Sequence, residues 1–264
     1  MIDRLVEMLA LERLDRDLFR GHNPTSARHG RLFGGHVAAQ ALRAAAYTVD
    51  SDHFPHSLHG YFLRPGRLEL PSTLQVHRIR DGRSFTTRRV VVVQDGEAIF
   101  SLAASFHRDE PGGDYQVPQP LGVPAPDEVA ARDDGDGGHL SPFDVREVLD
   151  ETATHGRSTR QIWVRTRGAL DDDRTLHASV LTYLSDMGAV GAARRSLRLY
   201  HRRGLGASLD HAVWFHRPVR TDQWLLFDMQ PVSASGARAL VVGTLHDGAG
   251  VLGASMAQEV LVRG

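Results

Sequence analysis

Ser208-Leu209-Asp210-His211-Ala212-Val213-Trp214-Phe215-His216-Arg217-Pro218 has a counterpart about 150 residues upstream in Pro55-His56-Ser57-Leu58-His59-Gly60-Tyr61-Phe62-Leu63-Arg64-Pro65. A shift of 153 sets Trp214 on Tyr61, Phe215 on Phe62, Arg217 on Arg64 and Pro218 on Pro65. Similarity at one fixed offset marks a duplicated unit.

Downstream of the first copy, Leu68 to Arg80, Ser84 to Gln94 and Ala98 to His107 read as strands. They are punctuated by Asp81-Gly82 and Asp95-Gly96, which are turn dipeptides, so with His56 to Leu63 they predict an antiparallel meander. Val90-Val91-Val92-Val93 is apolar without alternation and predicts a central strand covered on both faces. Upstream, Arg31-Leu32-Phe33-Gly34-Gly35-His36 runs into an Ala-rich helix from Val37 to Thr48, whose small side chains let a sheet wrap closely around it. Paired glycines there expose backbone N–H groups at a positive helix terminus, where an oxyanion or phosphate is readily held. They serve equally well if close packing is all that is required, and both readings stand. Ile2, Leu5, Val6, Leu9 and Leu14 fall near helical spacing and predict an amphipathic lid leading into strand-like Leu14 to Arg20.

The same order returns later. A strand at Arg160 to Thr166 and a helix from Leu176 to Val190 precede an arginine-rich segment, Arg194 to Gly206, that reads as mobile. Strands follow at Leu209 to His216, Gln223 to Val232, Ala237 to His246 and Val251 to Val262, with a turn at Asp247-Gly248. A shift of 152 sets Asp247-Gly248 on Asp95-Gly96, Val251-Leu252 on Ile99-Phe100 and Gln258 on Phe106. Helix then meander, twice, predicts an α+β chain of two units, 1–109 and 141–264. The joining segment, 110–140, carries Pro111-Gly112-Gly113, four more prolines by Pro126 and the acidic run Asp133-Asp134-Gly135-Asp136-Gly137-Gly138, and reads as a surface linker.

Composition removes whole classes of chemistry. The 264 residues include no Cys and no Lys, so all 31 basic side chains are Arg. Thiol nucleophiles, disulfides, cysteine metal sites, lysine Schiff bases and the P-loop lysine are therefore excluded. A net charge of −1 gives no whole-chain field toward nucleic acid or an anionic membrane. No run approaches the ~18 apolar residues of a membrane span, and Met1 to Ala10 carries charges where a signal peptide would be apolar. A soluble, unprocessed, cytoplasmic protein is the expectation.

The motifs sharpen the architecture to a family. Arg31-Leu32-Phe33-Gly34-Gly35-His36-Val37, His56 to Gly66, Arg80-Asp81-Gly82-Arg83-Ser84-Phe85 and Asp210 to Pro218 resemble, in this order, acyl-CoA thioesterase II, the TesB family. The resemblance implies a tandem double hotdog: each half is one long helix wrapped by a curved antiparallel sheet, and the two sheets join into one. It also implies a hydrolase that splits acyl-CoA to free acid and CoA with no cofactor, CoA being part of the substrate. Association of chains into a homo-oligomer is implied by the resemblance alone.

The family's three site residues match Asp186 in Tyr183-Leu184-Ser185-Asp186, Ser208 in Ala207-Ser208-Leu209-Asp210 and Gln258 in Met256-Ala257-Gln258-Glu259. The hydroxyl is Ser where Thr is common, which keeps the hydrogen-bonding group. These types suit thioester hydrolysis: Asp186 as base, with Ser208 and Gln258 aligning a water. Direct attack by the carboxylate to form an anhydride is the alternative route. Comparison of the halves supports the trio without any family knowledge. The counterpart of Ser208 is Pro55, that of Gln258 is Phe106, and Phe33 to Thr48 contains no Asp or Glu. Polar groups kept together in one half and absent together from the other predict one active site per chain.

Gly34, Gly35, His36 and His59 are the candidates for lining the substrate channel. Ser208, Asp210 and His211 form no triad, since residues one and two apart on a strand do not converge, and no Gly-x-Ser-x-Gly elbow occurs. The 15 His include no His-Glu-x-x-His motif, and no metal site is expected. Arg64, Arg88, Arg89, Arg217 and the cluster Arg194, Arg195, Arg202 and Arg203 are available to the CoA phosphates, each with a solvated face as its default. Two other functions fit the fold: a non-catalytic acyl-CoA binder, and an enoyl-CoA hydratase. The hydratase is disfavoured because it needs an Asp and His pair on one helical segment, whereas Asp186 is followed by Met187-Gly188-Ala189-Val190-Gly191.

Overall fold

The computed structural model describes residues 2–23, 30–131, 139–148, 159–199 and 206–263. In the first half, α1 (Ile2–Leu9) leads into the hairpin β1 (Leu11–Asp15) and β2 (Leu18–Gly21), then α2 (Gly34–Ala46) and the strands β3 (His53–Phe62), β4 (Ser72–Asp81), β5 (Phe85–Gln94) and β6 (Glu97–Arg108). In the second half, β7 (Phe143–Val148) and β8 (Arg160–Thr166) precede α3 (Arg174–Ser185) and α4 (Ala189–Ser196). The strands β9 (Gly206–Ser208), β10 (Asp210–Phe215), β11 (Leu225–Ser235), β12 (Arg238–Asp247) and β13 (Leu252–Val262) complete it.

All strands belong to one antiparallel sheet in the order β1-β2-β4-β5-β6-β3-β10-β13-β12-β11-β8-β7, with β9 paired to β13. The order reads the same outward from its middle, which makes the sheet two joined copies of one unit. At the join, Asp210 lies opposite Tyr61, Ala212 opposite His59 and Trp214 opposite Ser57. His59 and Ala212 are also superposed by the shift of 153, so a pseudo-two-fold axis passes between them. The strands that carry the echo are therefore the seam of the molecule.

α2 is enclosed on nearly every side: Ala38, Ala39, Ala41, Leu42, Ala44 and Ala45 are fully buried. Small side chains let it pack against α3 and the strands β3 to β6 at once. Leu74, Val90, Val92, Phe100 and Phe106 fill the first half, and Val180, Leu184, Leu225, Phe227, Val241 and Val260 the second, all without solvent contact. Each such side chain contributes ~1.5–3 kcal/mol by leaving water.

Several expectations change in detail. α1 ends at Leu9, and Leu14, 39% exposed, sits in β1; its helical spacing was coincidental. Val90 and Val92 are buried while Val91 and Val93 are half-buried, so β5 alternates and its outer face is only partly covered. The antiparallel pair β7–β8 repeats β1–β2, and its first strand, six residues with no turn dipeptide beside it, was not read from the sequence. The predicted helix Leu176 to Val190 is two helices. Gly188, at φ 100°, takes the left-handed conformation that glycine tolerates and starts α4 in a new direction.

Residues 110–131 run along the surface without strands. Gln116 donates to the Gly250 carbonyl (2.6 Å) and accepts from the Leu252 amide (3.0 Å), and Trp163 Nε1 donates to the Pro124 carbonyl (2.9 Å). The acidic run Asp133 to Gly138, with Arg202 and Arg203, lies outside the described residues.

Candidate active site

Asp173 starts α3, its carboxylate accepting from the Thr175 and Leu176 amides, and the helix runs buried to Ser185. Asp186 follows as its C-cap. A carboxylate at the negative end of a helix is poorly placed. The compensation comes from the other half, where the Gly35 amide, in the first turn of α2, donates to Asp186 Oδ2 at 2.8 Å. α2 has no side-chain N-cap, so Asp186 does for it what a capping residue would.

The glycines make that approach geometrically feasible. A Cβ on Gly34 would lie 2.8 Å from Asp186 Oδ2 and from the Phe62 ring, and a Cβ on Gly35 would overlap the Tyr183 carbonyl oxygen. Close packing and anion holding, left open by the sequence, coincide: the anion held is the protein's own carboxylate.

β9 pairs with β13 by setting Ser208 opposite Val260, which brings Ser208 beside Gln258. Ser208 Oγ donates to Asp186 Oδ1 (3.2 Å), and Gln258 Nε2 donates to Asp186 Oδ1 (2.6 Å) and to Ser208 Oγ (2.5 Å). Gln258 is fully buried and Asp186 is 8% exposed. Burial pushes the Asp186 carboxyl up from its usual range to about 6, against the downward pull of the donors on Gln258, Gly35 and Ser208. It is thus ionised at neutral pH yet far more basic than a surface aspartate, the condition a general base requires.

Two neighbours join the trio: His211, which the sequence offered only for a rejected triad, and Ser185, which it gave no role. His211, fully buried, meets Gln258 Oε1 through Nδ1 at 3.1 Å and Ser185 Oγ through Nε2 at 2.8 Å. Ser208 and His211 meet opposite ends of the Gln258 amide while Asp210 faces away, so no triad forms. Asp210 instead accepts from the Glu259 amide (2.7 Å) and faces His59 (3.2 Å). His59 is half-exposed on the side of β3 opposite the inward Leu58 and Gly60, its ring tilted against Tyr61, and is not brought to the trio. His36 is buried one position beyond Gly35 and edge-on to Tyr183, with burial pushing its pKa down to about 4.

The pseudo-equivalent position is filled by hydrocarbon, with Pro55 opposite Phe106 across β3 and β6. A cavity of about 220 Å³ opens on that side, lined by Pro55, His56, Arg174, His177, Phe215 and Arg217 among others. It contains none of the trio, and its arginines are engaged: Arg174 with Asp109, Arg217 with Asp114 and Arg220 with Asp222. Shape and polar convergence part here: the cavity lies at the pseudo-equivalent position, and the buried carboxylate with its donors at Asp186. Arg88 is no solvated residue either. It is buried against Thr48, the Arg80 carbonyl and Asp81.

Two family models match the chain, the acyl-CoA thioesterase N-terminal domain over residues 22–107 and the acyl-CoA thioesterase C-terminal domain over residues 119–262. The chain belongs to the acyl-CoA thioesterase family. Acyl-CoA thioesterase II TesB2 from Mycobacterium marinum is 40% identical, and its crystal structure superposes with a TM-score of 0.86 over 100% of this chain and 98% of that one. Acyl-coenzyme A thioesterase 8 of Mus musculus is 35% identical over 98% of this chain and 88% of its own length. Acyl-CoA thioesterase 2 of Haemophilus influenzae is 29% identical over 100% and 98%. Membership of the acyl-CoA thioesterase family makes the chain a thioester hydrolase with the double hotdog fold. Among the described residues no helix is long and apolar enough to cross a membrane.

Proposed function

We propose that the protein hydrolyses acyl-CoA to free carboxylic acid and CoA, using a water activated by Asp186 and aligned by Ser208 and Gln258, with no cofactor. The observation that carries this is the convergence of one buried carboxylate, one hydroxyl and one amide, 2.5–3.2 Å apart, in one half of a duplicated chain. A water entering there takes the place of one of these contacts, donating to Asp186 while it accepts from Ser208 or Gln258. Asp186 takes its proton as the oxygen attacks the thioester carbonyl carbon. Negative charge then gathers on the carbonyl oxygen, beside the positive amino end of α2. Collapse of the tetrahedral adduct breaks the C–S bond, and the proton held by Asp186 leaves with the CoA thiolate. Attack by the Asp186 carboxylate itself is the weaker route, because three donors already hold its oxygens and lower its nucleophilicity.

The test is thiol release from acyl-CoAs of increasing chain length. Asp186→Asn is expected to lower kcat by ~10²–10⁴-fold, the range of general-base catalysis. Ser208→Ala is expected to slow hydrolysis while leaving the melting temperature in place. Equal rates for wild type and Asp186→Asn would sink the base, and no release at any chain length would turn the reading to a non-catalytic acyl-CoA binder.

A further inference from the structure

Gln258 can align a water and an ionised Asp186 only in one of its two amide orientations. A carboxylate accepts and never donates, so the NH2 must face Asp186 and Ser208 and the carbonyl oxygen must face away. The reversed amide would set Oε1 against Asp186 Oδ1, two acceptors 2.6 Å apart, and would repel the charged base. Asp186 and Ser208 do not enforce the correct orientation alone, since a protonated Asp186 could donate to the reversed amide. The decision falls to what faces the other end.

We propose that His211 and Ser185 are positioning residues that hold the Gln258 amide with its NH2 toward Asp186 and Ser208. This rests on the reading of Asp186 and Gln258 given above. His211 Nδ1 lies 3.1 Å from Gln258 Oε1, and an oxygen facing it requires Nδ1 to carry the proton. His211 is fully buried, and burial pushes its pKa down to about 4, so it is neutral and Nε2 is a bare acceptor. Ser185 Oγ, 2.8 Å from Nε2, must then donate to it. The hydroxyl also lies 2.9 Å from the Thr182 carbonyl, but one hydroxyl proton serves one of these at a time. With the amide so held, the order is Ser185 O–H to His211 Nε2, His211 Nδ1–H to Gln258 Oε1, Gln258 N–H to Asp186 and Ser208, and it requires the Ser185 proton to turn from the Thr182 carbonyl to His211.

The backbone builds the chain of contacts from three places. Ser185 closes α3 immediately before Asp186, His211 points inward from β10, and Gln258 points inward from β13, hydrogen-bonded neighbours in the sheet. The other titratable groups that bear on His211 are Asp210 beside it and His59 across the seam, both on the outer face. At the inner end of the relay stands Asp186, with the buried phenol of Tyr183 nearby.

A double-mutant cycle separates positioning from general structural support. In the full chain, His211→Phe keeps a ring and removes both nitrogens. It is expected to lower kcat by ~10-fold or more with KM within ~2-fold, the pattern of an interaction felt in the transition state. The acid limb of its pH–rate profile is expected to move upward, because a loosened amide no longer favours the charged Asp186. In a Gln258→Ala background the same substitution should change kcat by less than ~2-fold, since nothing remains to position. Ser185→Ala, which removes one hydroxyl and no volume, should give a smaller loss of several-fold with the same non-additivity, and serves if His211→Phe melts early. Additive losses, or an unmoved acid limb in both variants, overturn the proposal while leaving Asp186 and Gln258 catalytic. A Gln258→Ala enzyme with wild-type kcat overturns the catalytic reading, and this one with it.

Discussion

Lowering the pH through 6 should silence the enzyme well before it unfolds, and the size of the effect follows from Asp186. Its carboxyl is pushed up to about 6 because it is buried, with donors on Gln258, Gly35 and Ser208 opposing. With that value about nine-tenths of the base is ionised at pH 7 and about one-tenth at pH 5, so kcat/KM should fall roughly tenfold per pH unit below 6. The sign of a second perturbation is fixed as well. Gln258 Nε2 donates to the charged oxygen at 2.6 Å, and such donors favour the ionised form. A hydrogen bond to a charged group is worth ~1.5–3 kcal/mol, and one pH unit ~1.36 kcal/mol, so Gln258→Ala should carry the acid limb up by about one pH unit or more. The assay is thiol release across pH 4.5 to 9 at constant ionic strength, with near-ultraviolet circular dichroism at each pH to confirm folding. An acid limb near 4, the range of an ordinary carboxyl, would refute the reasoning, as would a limb that Gln258→Ala leaves in place.

The same raised carboxyl makes a stability prediction. Asp186 binds its proton more tightly folded than unfolded, so its contribution to stability is fully present below pH 4 and is lost as pH rises through about 6. The span from 3.8 to about 6 corresponds to roughly 3 kcal/mol. Asp186→Asn should therefore gain about 1.4 kcal/mol of stability relative to wild type as pH rises from 5 to 8, the rest of the span being lost already below pH 5; a pH-independent difference would contradict this. Gly34→Ala places a Cβ 2.8 Å from Asp186 Oδ2 and from Phe62, and should lower both kcat and thermal stability. Unchanged kinetics would show that the two helix ends yield without disturbing the base. Arg88→Met strips Thr48 and the Arg80 carbonyl of a buried donor, and a loss of ~2–3 kcal/mol should lower the melting temperature by roughly 5–10 °C in a chain this long. Its kcat at 25 °C should stay at the wild-type value, which a coupled thermal and kinetic measurement checks.

Periodicity and punctuation made most of the fold legible. The echo of Tyr61-Phe62 in Trp214-Phe215 identified the seam strands, and the Asp-Gly turns set the meanders, because both signals are local. β7 was missed because its six residues lack a turn partner within reach, and the break between α3 and α4 because a glycine in a helical pattern does not announce its φ. The site was legible as chemistry and not as geometry. Asp186, Ser208 and Gln258 stood out as polar residues with Pro, Phe and no acidic counterpart in the other half, but the sequence offered no way to see Gly35 donate to Asp186 across 151 positions. His59 and His211 illustrate the limit. Both lie on strands with clear alternation, yet which face is inner depends on where the helices dock, and His59 faces outward while His211 turns in beneath Gln258.

The sequence by itself determined the duplication, the element types and the chemical identities of the candidate trio, since hydrophobic period, turn residues and side-chain chemistry are properties of short stretches. Tertiary structure alone decided that the amino end of one helix meets the carboxyl end of the other. That meeting buries Asp186 enough to raise its pKa and donates one amide to keep it ionisable, and it exists only once β3 and β10 pair and the two halves share one sheet.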